Sequence, residues 1–290
     1  MPLPNTLVRV TKAAPCPICK KPDWCVVARD ESVAFCCRTD YGSVRYCEKL
    51  CAWEFKLDGN RIDRVIAANK VVRNRTATPE PEIDAAKLNA EYQMDLADAQ
   101  IETLCESLGI EEVGLGMLGL GYSKSHHSYT FPMRNVRERV VGIRLRNLEG
   151  RKWAVCGSRN GLFMPEGFDP IGDVYICEGP TDTAAALGEG LDAIGRSSCR
   201  GEVADIVKLF RRLKRRAIIV SDNDGPGESG ARELADQLST VTETRIIYPL
   251  AAKDMREWIV KGATNKLIEC VAANAKPWKR TSKDTNAPYG

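Results

Sequence analysis

The 290-residue chain lacks any run approaching the ~20 consecutive apolar residues of a membrane helix, and Met1 to Val10 lacks the apolar middle of a secretory signal. Both absences point to a cytosolic setting. Histidine is nearly missing: His126 and His127, adjacent in "SKSHHSY", are the only two, and with no cysteine nearby they read as solvent-facing loop residues. Neither sign of charge is in excess, since 42 Lys+Arg against 39 Asp+Glu leave a net +3. Any nucleic-acid partner must therefore be held by local patches and not by a generally basic surface. No G-x-x-x-x-G-K-[ST] occurs, which excludes a fused P-loop ATPase, and there is no internal repeat.

What the chain has in quantity is cysteine. Six of its 12 cysteines, Cys16, Cys19, Cys25, Cys36, Cys37 and Cys47, crowd into residues 16–47. In a reducing compartment that density reads as metal binding. Cys51, Cys105, Cys156, Cys177, Cys199 and Cys270 are scattered and read as small hydrophobes. A 43% hydrophobic content supports real cores, and the length suggests two or three domains.

Composition divides the chain into a cysteine-rich module over 1–57, a polar linker over 58–84 closed by "TATPEPE", a basic mixed α+β lobe over 85–170, an α/β domain over 171–265, and a disordered, mildly basic tail over 266–290. The lobe opens with helical apolar spacing and a stop at Gly109, then shortens to strands in "SYTFPM", "RVVGIRLRN", "RKWAVCG" and "GLFMP". Beyond Gly172, short apolar strands alternate with helices: "DVYICEG", "LDAIGR", "AIIVSDND" and "TRIIYPL". That alternation predicts a parallel sheet covered on both faces, with its ligands outside the carboxyl ends of the strands.

Two of those strands end in acids. In extended chain, residues two apart face the same way, so Asp222 and Asp224 converge if extension persists past Val220. Glu178 stands at the matching end of another parallel strand. Three carboxylates in one place repel unless neutralised, and oxygen ligands alone favour Mg²⁺ or Mn²⁺.

"VYICEGPTDTAAAL", "AIIVSDNDGPGESGARELADQL" and "AAKDMREWI" resemble the three successive motifs of the TOPRIM domain of primases, topoisomerases and some nucleases and recombination proteins, over roughly 172–260. The resemblance implies that Glu178, Asp222 and Asp224 are the catalytic, metal-binding acids and that Asp182 is the trailing acid of the first motif. It also matches Lys253 and Asp254 to a lysine–acid pair after the last strand. Their plainer reading is a solvated lysine beside a helix cap.

Among the clustered cysteines, Cys16 and Cys19 form a C-x-x-C knuckle that brings two thiolates to one ion. Cys36 and Cys37 follow a strand, so their side chains diverge and one of them ligates. Cys25 and Cys36 are favoured for the other two positions of a structural Zn²⁺ site, with Cys37 or Cys47 as alternatives. The "CPICKKPDWC" opening also resembles that of phage-like TOPRIM proteins, which points to Cys16, Cys19, Cys25 and Cys36.

In "VVGIRLRN", Arg144 and Arg146 share a strand face, and Lys152 follows on the next strand. Guanidinium forks suit phosphate oxygens. This segment resembles the smaller lobe that precedes TOPRIM in primases, where basic residues face the catalytic carboxylates. The cluster "RRLKRR" at 211–216 reads as a solvated helix end.

Zinc module, linker, basic lobe and TOPRIM follow one another in the order of a bacterial or phage-type DNA primase. The resemblance therefore implies template-directed synthesis of RNA primers from ribonucleoside triphosphates on single-stranded DNA. It further implies a separate replicative helicase as partner and a bacterial host cytoplasm, with a compact build that leans towards a mobile element. The competing readings are a non-catalytic zinc and TOPRIM DNA-binding module that recruits replication or recombination partners, and a TOPRIM nuclease.

Overall fold

The computed structural model describes residues 6–38, 43–47, 50, 52–57, 83–198 and 201–280. The chain divides into two compact units, Met1–Pro81 and Glu82–Gly290. The linker expected over 58–84 lies, as far as residue 82, outside the described residues.

The first unit is an antiparallel sheet of five short strands: β1 (Leu7–Arg9), β2 (Val26–Ala28), β3 (Val33–Cys36), β4 (Arg45–Cys47) and β5 (Ala52–Lys56), in the order β1-β2-β3-β5-β4. Its core consists of Val10, Ile18, Ala34 and Phe55 together with Cys16, Cys25 and Cys36. So few apolar side chains bury too little area to hold a fold alone, and cysteine sulfur occupies the centre where a larger domain would place leucine. In β3 the side chains alternate. Cys36 turns inward, and Cys37, one residue on, is exposed, as strand geometry requires.

The second unit begins with three helices: α1 (Ala85–Met94), capped by the Asp84 carboxylate on Lys87 N, α2 (Asp98–Leu108) and α3 (Glu112–Met117). The stop at Gly109 is present, with φ +69. An antiparallel meander follows, β6 (Gly121–Ser123), β7 (Ser128–Arg134), β8 (Val140–Arg146) and β9 (Lys152–Ala154), in sequential order. The strand expected at "GLFMP" does not extend. Leu162 pairs with Arg134 of β7 and Phe163 pairs with Gly195, so the segment crosses from one sheet to another with one bridge on each.

The parallel sheet contains β10 (Val174–Glu178), β11 (Ala193–Arg196), β12 (Ala217–Val220) and β13 (Thr244–Ile247), connected through α4 (Pro180–Gly188), α5 (Val203–Leu213) and α6 (Gly225–Leu238). The strand order is β11-β10-β12-β13. The chain leaves β10 to one side for β11 and returns to the other side for β12, so the sheet has a topological switch point between β10 and β12. Strands β10, β11 and β12 are apolar up to their carboxyl ends, and β13, with the sequence Thr-Arg-Ile-Ile, adds Ile246 to one face and Ile247 to the other. Tyr175, Cys177, Ile218 and Val220 pack towards α4, α7 (Met255–Val260) and α8 (Asn265–Asn274), and Val174, Ile176, Ala217 and Ile219 pack with α5 and α6. Helices on both faces are what near-continuous apolar strands demand.

The disordered tail expected from 266 is corrected by α8. Ile268 and Ala272, one turn apart, bury against the core, and Val271 packs beside them. Trp278 then donates its backbone N–H to Thr244 O at 2.7 Å and its Nε1–H to Asp236 Oδ1 at 2.8 Å. The polar residues between these apolar ones hid the helical spacing. Residues 281–290 lie outside the described residues. No helix among the described residues is long and apolar enough to cross a membrane.

Candidate functional site

Glu178 ends β10, and Asp222 follows β12, its immediate neighbour, so the two stand on either side of the switch point. Asp224 begins α6 as its N-cap, accepting the Gly227 N–H at 2.8 Å. Gly227 shows how near the two aspartates are. A Cβ there would meet Asp222 Cβ at 2.9 Å and Asp224 Oδ1 at 3.1 Å, so only a hydrogen fits between them. Two further acids close in. Asp182, in the first turn of α4, is 6% exposed and accepts the Arg256 N–H at 3.0 Å. Asp254 caps α7 by accepting the Glu257 N–H at 2.8 Å, which fulfils its plainer reading as a helix cap.

Burial and mutual repulsion act on this group. Asp222 is pushed up to about 7, first by burial and then by Asp182, Glu178, Asp254 and Asp224. Asp182 is also pushed up to about 7, by burial and by Asp254, against the opposing pull of the Arg256 N–H and Lys152. Five carboxylates thus share one electrostatic neighbourhood. They do not form a closed ligand set. Among the described residues, the only His, Cys, Asp or Glu ligand atoms that gather within 4.8 Å of one another in a group of three or more are cysteine sulfurs. Unneutralised like charges hold the oxygens apart. Asp222, Asn223, Asp224, Gly225, Glu228 and Tyr248 line an open recess of about 310 Å³ at the same edge.

Asn223, the middle residue of Asp-Asn-Asp, fixes the loop. Its N–H donates to Lys253 O at 2.8 Å, and its Nδ2 donates to Pro249 O at 2.8 Å and Ala252 O at 2.6 Å. The segment that carries Lys253 and Asp254 is thereby stapled to the one that carries Asp222 and Asp224. Lys253 itself is exposed. Neither Asn223 nor Arg256 stood out in the sequence, because their partners lie 26 or more residues away in it.

Of the basic candidates, Arg146 and Lys152 are cross-strand partners on β8 and β9. Lys152 is exposed, yet the surrounding protein and then Arg146 lower its pKa, while Asp182, Asp254 and Asp222 act in the opposite direction. Arg146 is lowered by burial and by Arg256 and raised by Asp182 and Asp254. Both cations therefore lie within electrostatic reach of the acids. Arg144 goes elsewhere: its Nη2 donates to Ser197 O at 3.3 Å, beside Glu202. In "RRLKRR", Arg212 donates to Val136 O and Arg216 forms a fork on Asp173, so part of this helix end is tied down.

In the first unit, Cys16, Cys19, Cys25 and Cys36 bring their four sulfurs within 4.8 Å of one another. Cys19–Cys25 and Cys25–Cys36 are 3.7 and 3.9 Å apart. A tetrahedron with Zn–S of ~2.3 Å has edges of about 3.8 Å, so the donor set fits a structural zinc. The crowding drives the thiols apart in acidity. Hydrogen bonds from Cys16 and Cys36 pull Cys25 far down, whereas Cys16 is pushed up to about 11 by its bond to Cys25. Arg38 Nη1 lies 3.8 Å from Cys19 Sγ and 3.9 Å from Cys25 Sγ while pairing with Asp23 at 2.7 Å through Nη2, which places a cation beside the sulfurs. Cys37 donates instead to Trp24 O at 3.1 Å and is exposed, and Cys47 is outside the group.

No protein-family model matches this sequence, and no curated protein matches it. Solved structures do match. The E. coli primase catalytic core superposes with a TM-score of 0.53 at 16% identity, over 67% of this chain and 79% of that one. A DnaG primase catalytic domain bound to single-stranded DNA gives 0.53 at 17%, over 67% and 80%. The Aquifex aeolicus primase, comprising zinc-binding and RNA polymerase domains, gives 0.56 at 14%, over 96% of this chain and 81% of that one. The chain therefore has the fold of a bacterial primase catalytic core, with a four-cysteine group near its N-terminus.

Proposed function

We propose that the chain is a DNA primase whose 171–265 region is a TOPRIM domain and which builds short RNA primers on single-stranded DNA from ribonucleoside triphosphates. The observation that carries this reading is the meeting of five acids, Glu178, Asp182, Asp222, Asp224 and Asp254, with Arg146 and Lys152 from the neighbouring sheet at the carboxyl edge of the parallel strands. A site built for phosphoryl chemistry needs both signs of charge. Acids hold the cations that accompany a triphosphate, and fixed basic groups hold its oxygens.

Glu178, Asp222 and Asp224 would hold Mg²⁺ or Mn²⁺, with Asp182 and Asp254 in support. Such a cation, when bound, supplies neutralisation of the triphosphate and activation of a 3′-hydroxyl for attack on the α-phosphorus with loss of pyrophosphate. The chain's own residues do the positioning. Arg146 and Lys152 bind phosphate oxygens opposite the acids. Asn223 keeps the two acidic loops in register, and Arg144 and Lys253 extend the basic track along which the template lies. Cys16, Cys19, Cys25 and Cys36 would hold Zn²⁺ and make the first unit a small rigid reader of template sequence, tethered through the linker. A separate replicative helicase is the partner that this reading implies. The site of action is a bacterial cytoplasm, with a mobile element as the fitting source.

The test incubates the protein with single-stranded templates of varied sequence, labelled ribonucleotides and Mg²⁺ or Mn²⁺, beside an Asp222→Ala/Asp224→Ala variant. Short, template-dependent RNA that disappears in the variant is the expected result. Template binding without product, or cleavage of the template, would overturn the reading.

A further inference from the structure

Arg196, at the end of β11, is the largest completely hidden side chain among the described residues, at 1% exposure. A guanidinium keeps its proton in a protein, and a buried one without an anion beside it is strongly destabilising. Sheet register indicates where the anion lies. β10 and β11 run parallel with Glu178 opposite Arg196. Alternation places Val174, Ile176 and Glu178 on one face of β10, and Ile194 and Arg196 on the same face of β11. Val174, Ile176 and Ile194 all pack into the core that contains α5 and α6. Glu178 and Arg196 therefore leave the sheet side by side.

The rest of the arginine is fixed as well. Its Nη1 reaches towards α6, 3.5 Å from Gly230 O. Its carbonyl accepts the Gly179 N–H at 2.8 Å, which pins the turn immediately after Glu178, where φ is +91 and a side chain would be strained. One residue back, Gly195 exchanges backbone hydrogen bonds with Phe163 at 2.7 and 2.9 Å, tying β11 to the segment that reaches the antiparallel sheet.

We propose that Arg196 is a positioning residue for the candidate catalytic glutamate: its guanidinium is the buried counter-charge that holds Glu178 oriented on the α6 side of the sheet. Asp222, Asp182 and Asp254 gather on the α4 side. A fixed cation built into the wall takes up part of the negative charge and distinguishes Glu178 from the four aspartates. The orientation of Glu178 then depends on an edge strand held from the neighbouring lobe. This deepens the primase reading and rests on it for the role of Glu178, though the pairing itself does not.

The test uses the full-length, zinc-loaded protein and its Glu178→Gln, Arg196→Met and double variants, followed by thermal unfolding and primer synthesis. Glu178→Gln alone leaves a buried guanidinium without its counter-charge and lowers the unfolding midpoint. Adding Arg196→Met recovers much of that loss, so the double variant melts above Glu178→Gln. Equal drops from Arg196→Met in both backgrounds would overturn the pairing. Arg196→Gln, which also removes the charge, gives the same sign test when taken through the same cycle should Arg196→Met not accumulate as folded protein.

In the kinetic arm, Arg196→Met lowers the rate at saturating nucleotide about tenfold or more with the template KM unchanged, and Arg196→Lys regains part of it. A folded Arg196→Met that polymerises at the wild-type rate overturns the positioning role. Stability coupling in a wild-type protein that makes no primer overturns the primase reading and leaves the pairing standing.

Discussion

At the scale of single residues, the carboxylates of Asp182 and Asp222 carry a consequence for pH. Both are held at about 7, where an ordinary aspartate sits near 3.8. A raised carboxyl favours folding only while protonated. The stability it supplies is complete below 3.8 and is lost as pH rises towards 7. The protein without divalent cations is therefore expected to melt at a lower temperature at pH 8 than at pH 5 on account of these groups. Mg²⁺ or Mn²⁺ should restore the midpoint at pH 8 and do little at pH 5, where protons occupy the site. Thermal unfolding at the two pH values, with and without metal, checks this, and a metal response equal at both would refute it. Gly227→Ala makes a separate test of geometry. The added methyl meets Asp222 Cβ at 2.9 Å and Asp224 Oδ1 at 3.1 Å, so it should push the two acids apart and remove most of the metal-dependent activity while the circular dichroism spectrum stays that of the parent. The five acids were legible in the sequence because three local motifs carry them. Arg196, Asn223 and Arg256 were not, since each acquires its role from a strand or loop far away in sequence, and register is not written in any local pattern.

At the scale of elements, alternation of short apolar strands with helices forecast the parallel sheet from "DVYICEG" to "TRIIYPL", because strands buried on both faces leave unbroken apolar runs. Two elements escaped. The "GLFMP" segment has the composition of a strand but makes one bridge on each side. Helix α8 shows its apolar face only at Ile268, Val271 and Ala272, among polar neighbours. Deleting 265–290 should therefore lower the unfolding midpoint by several degrees, because it removes Ile268 and Ala272 from the core they pack against, together with the Trp278 contacts. The cysteine unit gives the complementary test. Its core is small enough that four sulfurs within 4.8 Å of one another, rather than apolar area, must hold β2, β3 and the knuckle together. Cys36→Ser should lose zinc and the structure of residues 6–57, while Cys37→Ser and Cys47→Ser retain stoichiometric zinc. Metal content after chelator competition checks both. Arg38→Ala, which removes the cation beside two sulfurs, should weaken zinc retention about tenfold or more without changing its stoichiometry.

At the scale of the whole molecule, the near balance of 42 basic and 39 acidic side chains decides how a nucleic acid can be held. A generally basic protein gathers template everywhere on its surface. This one has a net charge of only +3, and its candidate contacts are four: Arg144, Arg146, Lys152 and Lys253. Each single-strand phosphate neutralised contributes about −0.7 to the slope of log K against log salt, so four contacts give a slope no steeper than about −3. Between 50 and 200 mM salt that amounts to about a fiftyfold loss of affinity. Two of the four also feel Asp182 and Asp254, which compete with phosphate for them. Replacing Lys152 or Arg146 by alanine should therefore weaken binding and flatten the slope by less than 0.7 each. Mg²⁺ at the acids should steepen it again, because the competing carboxylates are then occupied. Fluorescence anisotropy with a labelled oligonucleotide over a salt series measures all of this. A slope of about −5 or steeper that is indifferent to Arg146 and Lys152 would place the template on another surface altogether, and with it the chemistry assigned to this edge of the sheet.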